Sequence, residues 1–341
     1  MGERETALVT GAAGFGGSHL VEHLLASGIQ VVALDHPEVR PENLAAVRER
    51  IDYVACDLAA AGAAGADGVR DALAGWEFGA VYHLAGLASV RRSFADIRGT
   101  LEVNAFASLN LLGALQRQGK PPRLLLVGSA EEYGPSPAGA GALAEDAPLA
   151  PVNPYALSKV WQEALGGYYA RTARWPILMT RTYNHTGPRQ GPDFVCADFA
   201  RQIARIELRL EEPVIRVGNL AAVRDFLDVR DVVRAYRFIV ERGVPGAVYN
   251  VCSGRVRSIA DLLQVLLAQA SLKIRVEVDV SRHRPIDVPV LHGDPGRLER
   301  DTGWVPAFEL ERTLGDLLEY WRGRVAAEAG AGRPPGGGRQ A

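Results

Sequence analysis

The sequence predicts an α/β fold built on a doubly wound parallel sheet, and two observations support this prediction. Six short runs are rich in Val, Ile and Leu with little polar alternation, which is typical of strands covered on both faces. These runs are residues 7–10, 29–35, 51–57, 79–86, 123–129 and 176–183. Longer stretches with helical character, such as 17–27 and 97–118, lie between them. Alternating strands and helices of this kind favour a parallel sheet with right-handed crossovers.

The first run leads into a glycine-rich turn, residues 10–17 with the sequence TGAAGFGG, which opens a helix. Its glycines let the backbone approach a pyrophosphate, which the free N–H groups of the helix N-terminus attract. The next strand ends at Asp35, whose carboxylate can accept hydrogen bonds from both hydroxyls of an adenosine ribose. We therefore predict a Rossmann-type site for NADP(H) or NAD(H). Asp35 favours NAD(H), whereas Arg40 could accommodate NADP(H).

The helix after this turn contains the order H-x-x-E-H at residues 19–23, which also occurs in one class of zinc proteases. This helix must pack on the sheet while its N-terminus faces phosphate, and no third ligand is indicated nearby. We therefore expect two histidines on the helix surface and no metal site.

Tyr155 and Lys159 form the pattern Y-x-x-x-K, and the preceding Pro154 suits the first turn of a helix. A spacing of four places both side chains on one helix face. An ammonium beside a phenol lowers the pKa of the phenol, so that it can exchange a proton near neutral pH. Ser129 ends the fifth run, at the edge of the sheet where doubly wound folds bind ligands. We therefore predict that Ser129, Tyr155 and Lys159 are catalytic.

These motifs together resemble the extended short-chain dehydrogenase/reductases, in the branch that modifies nucleotide sugars. The resemblance rests on TGxxGFxG at 10–17, Asp57-Leu58, HLAG at 83–86, Ser129 and YxxxK at 155–159, and it extends to about residue 325. It implies that Asp57 and Leu58 contact the adenine of the cofactor, and that Lys159 also holds its nicotinamide ribose. The other cofactor contacts that it implies are Gly11, Gly14, Phe15, Gly16, Gly17, Leu84, Ala85 and Gly86.

The second half resembles more narrowly the reductases that convert GDP-4-keto-6-deoxy-D-mannose to GDP-D-rhamnose. The matching segments are GSAEEYG at 128–134, RTYNHTGP at 181–188, VGNLAAVRDFLDVRDVVRAY at 217–236 and HRPIDVPVLHGD at 283–294. The resemblance implies an NAD(P)H-dependent reduction of the C4 ketone, with Tyr155 as the proton donor. A substrate with two phosphates needs fixed cations. We expect Asn184, Arg224 and Arg284 to bind this GDP-linked 4-keto-6-deoxy sugar.

Glu131 keeps a second reaction open. The sister GDP-mannose 4,6-dehydratases carry a glutamate at the matching position, which removes the C5 proton of the sugar. The residues at 184–187 and 224–226 follow the reductases instead. A 4,6-dehydratase, or another nucleotide-sugar epimerase or dehydratase of the same family, is therefore the alternative. A regulator that senses NAD(H) without chemistry is disfavoured, because both Tyr155 and Lys159 are present.

We predict two domains and a disordered tail. Residues 1–183 and 220–254 should form the cofactor domain, and 184–219 and 255–325 the smaller nucleotide-sugar domain. Residues 326–341 are rich in Gly and Pro, with nothing to pack against, and should be disordered.

Two apolar helices predict a homodimer. The stretch 98–117 carries apolar side chains on most of its sides, and the helix of Tyr155 adds Trp161 and Tyr168. A partner subunit could cover the face that the sheet does not cover. The net charge of −2 disfavours a nucleic-acid partner, and no apolar run approaches the roughly 18 residues of a membrane helix. Three scattered cysteines without C-x-x-C favour a reducing cytoplasm.

Overall fold

A seven-stranded parallel sheet dominates the computed structural model, which describes residues 5–60, 63–117, 121–135, 141–282 and 288–331. Its strands are β1 (Thr6–Thr10), β2 (Gln30–Asp35), β3 (Asp52–Ala55), β4 (Ala80–His83), β5 (Arg123–Ser129), β6 (Ile177–Thr182) and β10 (Val248–Val251). They lie in the order β10-β6-β5-β4-β1-β2-β3. Strands β2 and β3 therefore lie on one side of the neighbouring pair β1 and β4, and the later strands lie on the other side. All six apolar runs are strands, and the doubly wound parallel fold is confirmed.

Helices cover both faces of this sheet. One face packs against α1 (Phe15–Ala26) and α8 (Val229–Arg242), and the other packs against α2 (Ala63–Ala72), α5 (Ala107–Gln116) and α6 (Pro154–Thr172). Neighbouring strand residues belong to opposite faces: Val9 packs with α1 and α8, whereas Leu8 packs with α2 and α5. Burial on both faces explains why these strands are continuous apolar runs in the sequence.

A second, smaller layer of structure lies in the C-terminal half. Its largest sheet contains β7 (Asn184–Thr186), β9 (Val223–Asp228), β11 (Val256–Ser258) and β13 (Val290–Leu291), and β8 (Val214–Val217) pairs with β12 (Arg275–Val278). The helices of this half are α7 (Val195–Glu207), α9 (Ile259–Ala268), α10 (Gly296–Thr302) and α11 (Leu310–Ala331). Apolar side chains from α7, α9 and α11 form a core separate from those of the large sheet.

The chain was predicted to re-enter the cofactor domain at residue 220, but it does so only from α8 onward. Strand β9 pairs with β7, β11 and β13, so it belongs to the smaller sheet, and only α8 and β10 rejoin the large one. The side chains of β9 explain this placement, because Phe226 packs into the core of the smaller half while Leu227 packs under α8. Strand β9 thus lies between the two cores.

Helix α11 covers the first six residues, 326–331, of the predicted disordered tail. An ion pair between Arg324 and Glu328, four residues apart at 4.0 Å, and several alanines favour the helix there. The rest of the predicted tail, 332–341, lies outside the described residues.

The helical stretch predicted at 98–117 contains an irregular turn. After α3 (Val90–Ala95) come α4 (Ile97–Leu101), a π-helical turn (Glu102–Phe106) and then α5. Such turns insert one extra residue into a helix and often occur at functional sites. No helix among the described residues is long and apolar enough to span a membrane.

Candidate active site

The glycine-rich turn forms a cradle in which Gly11 and Gly17 leave no room for side chains. Gly11 has a φ of +68°, and a Cβ there would lie 2.8 Å from the backbone nitrogen of Ala85. A Cβ at Gly17 would collide with the carbonyl oxygen of Gly11. Helix α1 begins at Phe15 with no side chain capping its first N–H groups. The turn therefore presents backbone N–H groups to an anion, which fits a dinucleotide pyrophosphate.

Asp35 ends β2 directly beside this turn. Its two carboxylate oxygens accept hydrogen bonds from the backbone N–H of Ala13 at 3.1 and 2.9 Å. The side chain is only 4% exposed, and burial raises the pKa of Asp35 to about 6. At neutral pH the group is therefore mostly ionised and carries a negative charge at the edge of the cradle.

A cavity of about 1440 Å³ connects the cradle to the carboxyl ends of β4, β5 and β6 and to the smaller sheet. Every predicted site residue that the structure describes lines this cavity. They are Gly11, Gly14, Phe15, Gly16, Gly17, Asp35, Asp57, Leu58, Leu84, Ala85, Gly86, Ser129, Glu131, Tyr155, Lys159, Asn184 and Arg224. Arg284 lies outside the described residues. Arg40 does not line this cavity, because it faces a separate space of about 210 Å³ that Arg189 and Arg324 also line.

The predicted catalytic trio of Ser129, Tyr155 and Lys159 lies where β5 ends and α6 begins. Asn153 caps α6 by accepting a hydrogen bond from the Ala156 N–H at 2.8 Å, and this fixes the first turn, which carries Tyr155. Burial raises the pKa of Tyr155, while the adjacent Ser129 hydroxyl opposes this shift. One turn later, Lys159 lies beneath the cavity and is 5% exposed. The phenol, the hydroxyl and the ammonium therefore line the same cavity.

Glu131 lies beside this trio, in a 3₁₀ turn (Ala130–Tyr133) that follows β5. Its backbone N–H donates to Ser129 Oγ at 3.2 Å, and its Oε2 accepts from Asn153 Nδ2 at 3.1 Å. Its side chain is half-buried and lines the cavity. A carboxylate in this position can contact a substrate bound over Tyr155.

Asn104, which the sequence analysis missed, connects the cofactor side of the cavity to α6. It lies in the π-helical turn, and its amide donates to Ser158 Oγ at 2.9 Å and to the carbonyl oxygen of Leu87 at 3.1 Å. Its Oδ1 accepts from the Leu87 N–H at 2.7 Å. These bonds hold the strand exit after Gly86 against the catalytic helix. The sequence signal that could have revealed Asn104 is a polar side chain inside an otherwise apolar helical stretch.

The far end of the cavity is built by the smaller sheet. Arg224 in β9 is only 5% exposed, and one of its nitrogens donates to the carbonyl oxygens of Val223 and Pro289, at 2.9 and 3.4 Å. Asn184 lies one strand away, in β7, opposite Phe226. A buried guanidinium and an amide at one end of the cavity are suited to a phosphate-bearing ligand.

His19 and Glu22 of the H-x-x-E-H pattern make separate contacts. His19 Nε2 lies 2.9 Å from the carbonyl oxygen of Pro188, and Glu22 forms an ion pair with Arg189 at 2.6 Å. Within the described part of the chain, no group of three His, Cys, Asp or Glu side chains is arranged to hold a metal ion.

Known proteins share this architecture. The sequence model of the family described as GDP-mannose 4,6 dehydratase matches residues 8–317. GDP-6-deoxy-D-mannose reductase of Pseudomonas aeruginosa is 38% identical over 249 residues, which is 73% of this chain and 82% of that protein. The solved structure of RMD from Pseudomonas aeruginosa complexed with NADPH has a TM-score of 0.81 and 34% identity, and the match covers 94% of this chain and 99% of that one.

A Thermus thermophilus UDP-glucose 4-epimerase complex with NAD has a similar fold, with a TM-score of 0.83 and 29% identity over 93% of this chain and 99% of that one. The family match covers the cradle, the catalytic trio and most of the smaller half. The chain therefore belongs to the GDP-mannose 4,6-dehydratase family of extended short-chain dehydrogenase/reductases.

Proposed function

We propose that this protein reduces the C4 ketone of GDP-4-keto-6-deoxy-D-mannose to GDP-D-rhamnose, with NADH or NADPH as the reductant. The observation that carries the proposal is that Tyr155, Ser129 and Lys159 open on the same cavity as the dinucleotide cradle. The 38% identity to a GDP-6-deoxy-D-mannose reductase supports the choice of substrate.

The residues of the trio have separate tasks in this reaction. A bound nicotinamide supplies the hydride for C4. Tyr155 gives its phenolic proton to the C4 oxygen, and the Ser129 hydroxyl donates a hydrogen bond to the same oxygen. The Lys159 ammonium stabilises the phenolate that Tyr155 leaves behind. Gly11, Asp35 and the other cradle residues would hold the cofactor.

The charges around the adenosine end of the cavity favour NADH. Asp35 at the end of β2, Glu38 and Asp57 all line the cavity, so three carboxylates would lie near a bound adenosine ribose. A 2′-phosphate would be repelled there. Arg40, which could have compensated this repulsion, faces the separate smaller space instead. The proposed preference differs from the RMD structure, which was solved with NADPH.

A 4,6-dehydratase, or another nucleotide-sugar epimerase or dehydratase, is the second candidate, and the position of Glu131 favours it. This carboxylate lines the cavity beside Tyr155 and is oriented by Asn153, as a base acting on the sugar would need to be. The same observation is compatible with a reductase in which Glu131 only contacts the sugar. Substitutions at Glu131 and at Tyr155 therefore distinguish the two reactions.

An apolar surface on the catalytic side supports a homodimer. Five large apolar side chains of the α4–α6 region are more than a third exposed: Ile97, Phe106, Leu157, Trp161 and Tyr168. Exposed apolar clusters of this kind mark contact sites between proteins. We propose that a second copy of the chain covers this surface. The three cysteines are free thiols, which supports a location in the cytoplasm.

Replacing Asp35 should change the choice of cofactor. The enzyme should have a higher kcat/KM for NADH than for NADPH at pH 7.5. Asp35→Ala should raise the KM for NADH by about tenfold, because hydrogen bonds to a charged acceptor are lost, and should improve use of NADPH. Since the pKa of Asp35 is about 6, discrimination against NADPH should also weaken below pH 6. Arg40→Ala is the control and should leave both values unchanged; a preference for NADPH that Arg40→Ala abolishes would contradict the assignment.

The reaction type follows from comparing Tyr155 with Glu131. Tyr155→Phe should lower kcat by about 10² to 10⁴-fold, because the proton donor is lost, yet should still bind NADH in a fluorescence titration. Glu131→Gln should retain most ketone reduction, because no carbon acid is deprotonated in this step. The wild type should oxidise reduced nicotinamide stoichiometrically with the 4-keto sugar and leave GDP-mannose unchanged. Conversion of GDP-mannose to a 4-keto product, lost in Glu131→Gln, would establish the dehydratase instead.

Arg224 should anchor the substrate diphosphate. Arg224→Ala should raise the KM for the GDP sugar by roughly tenfold or more, since a charge-assisted pair contributes about 1.5–3 kcal/mol. The KM for the cofactor should not change. Arg216→Ala, an exposed arginine on β8, is the matched control. An unchanged substrate KM combined with a lower melting temperature would show that Arg224 is structural.

The dimer can be tested at its exposed tryptophan. Trp161→Glu places a charge on the apolar surface and should convert the protein to a monomer in analytical ultracentrifugation at micromolar concentration. Val305→Glu, at a position that is 54% exposed elsewhere, should leave the dimer intact. A monomeric wild type under these conditions would refute the dimer.

A further inference from the structure

A buried histidine lies between the cofactor turn and the catalytic helix. His83, the last residue of β4, is 0% exposed, and each of its ring nitrogens lies within hydrogen-bond distance of a hydroxyl. Nδ1 is 2.7 Å from Thr10 Oγ1, and Nε2 is 2.9 Å from Ser108 Oγ. Thr10 directly precedes Gly11 of the cradle, whereas Ser108 lies in α5, just after the π-helical turn. The proposed reaction itself gives no task to His83.

Hydrogen bonds continue from Ser108 to the helix of Tyr155. Ser108 Oγ donates to the carbonyl oxygen of Asn104 at 3.0 Å, and the Asn104 amide donates to Ser158 Oγ at 2.9 Å. Ser158 Oγ in turn donates to the carbonyl oxygen of Tyr155 at 2.7 Å. The side chains of this buried series are at most 1% exposed, and they belong to Thr10, His83, Ser108, Asn104 and Ser158. At such a depth, each lost partner leaves a polar group unsatisfied at a substantial cost.

The donors and acceptors of the buried series fix the position of the proton on His83. The backbone N–H of Ala85 can only donate, and it donates to Thr10 Oγ1 at 3.2 Å. The Thr10 hydroxyl therefore has its own proton available for His83 Nδ1. A neutral ring that accepts at Nδ1 carries its proton on Nε2, which donates to Ser108 Oγ. Burial, with a smaller contribution from the charge of Lys159, lowers the pKa of His83 to about 3, so the ring is neutral at physiological pH.

The buried series contacts three separate parts of the site. Thr10 leads into the cradle, and Asn104 pairs with both backbone groups of Leu87 after the end of β4. Ser158 holds the carbonyl oxygen of Tyr155 in the first turn of α6. Hydride delivery requires a fixed distance between the cofactor and the proton donor, and a displacement of about 1 Å can lower a rate by about 100-fold. A buried series that spans both parts can maintain this distance.

We propose that His83 is a positioning residue: as a neutral ring protonated on Nε2, it connects the cofactor turn to the catalytic helix and so sets the distance between the nicotinamide and Tyr155. His83 does not line the cavity, so it acts through Thr10 on one side and through Ser108 and Asn104 on the other. The effect on rate rests on the proposed function, whereas the position of the proton does not.

Histidine NMR of the full-length, cofactor-free protein tests the position of the proton. The chain contains seven histidines, and His83→Gln identifies the ring signals of His83 in protein labelled with ¹⁵N-histidine. In the wild type, Nε2 should carry the proton and Nδ1 should carry none, with constant shifts between about pH 5.5 and 8.5. Ser108→Ala removes the acceptor of the Nε2 proton, so the proton should move to Nδ1 and donate to Thr10. A wild-type ring protonated on Nδ1, a ring that titrates in this range, or a proton that stays on Nε2 in Ser108→Ala overturns the proposal.

Turnover tests whether the buried series acts as one unit. Thr10→Val keeps the shape of the side chain without its hydroxyl and should lower kcat for ketone reduction about tenfold at saturating NADH. Thr10→Ser keeps the hydroxyl and should retain the wild-type rate. Ser108→Ala should cause a loss similar to that of Thr10→Val, and the double variant should be no slower than either, because one break already interrupts the series. Losses that multiply to about 100-fold would contradict the proposal.

Thr302→Val is the matched control for removal of a buried hydroxyl. Thr302 donates to the carbonyl oxygen of Leu298 at 2.7 Å within α10, and it does not line the cavity. Its replacement should lower the melting temperature without changing kcat or the His83 signals. If Thr10→Val and Ser108→Ala likewise lower only the melting temperature, His83 is structural and the proposal fails. If Ser108→Ala does not fold, the wild-type ring signals and the comparison of Thr10→Val with Thr10→Ser decide the question.

The outcome can be separated from that of the proposed function. A 4,6-dehydratase also transfers a hydride between the sugar and the nicotinamide, so Thr10→Val should slow that reaction by about the same factor. Conversion of GDP-mannose would then overturn ketone reduction and leave the role of His83 standing. A wild-type rate in Thr10→Val, with either substrate, would overturn the role of His83 alone.

Discussion

The active site depends on holding one ammonium inside the protein. Lys159 is 5% exposed, and an unpaired charge at such a depth is strongly unfavourable. The fold meets this cost with the carbonyl oxygen of Val127 at the end of β5 and with Gln162, one turn along α6. Both acceptors require the end of β5 and the first turns of α6 to lie against each other. The same contact brings Ser129 to Tyr155.

Most of the fold could be predicted from the sequence, because strands buried on both faces leave continuous apolar runs. The six runs are all strands of the large sheet. Strand β9 could not be placed in this way, since Phe226 and Leu227 are neighbouring apolar residues whose side chains enter different cores. Local sequence shows that such a strand exists but carries no information about which sheet it joins. The π-helical turn at Glu102–Phe106 could not be predicted either, because its backbone geometry does not produce a distinct pattern of apolar residues in the sequence.

The site was predictable where chemistry imposes a fixed spacing. Tyr155 and Lys159 must lie one helical turn apart, and Gly11 and Gly17 must lack side chains, so both patterns are visible in the sequence. Asn104, Gln162 and Glu132 act through partners that are distant along the chain or are backbone atoms. No spacing rule constrains such residues. The direction of Arg40 likewise depends on how the loop after β2 leaves the sheet.

The 3₁₀ turn after β5 gives two consecutive glutamates opposite environments. Glu131 is half-buried, lines the cavity and accepts a hydrogen bond from Asn153, whereas Glu132 is fully buried and accepts a hydrogen bond from the backbone N–H of Ser129. One acid is therefore available to a bound sugar, and the other is held inside the protein against the backbone of Ser129. Because the two side chains occupy different environments of one short turn, a change at 131 can alter the cavity without removing the buried bond between Glu132 and Ser129. This separation gives a physical reason why one scaffold can support both ketone reduction and dehydration of a nucleotide sugar.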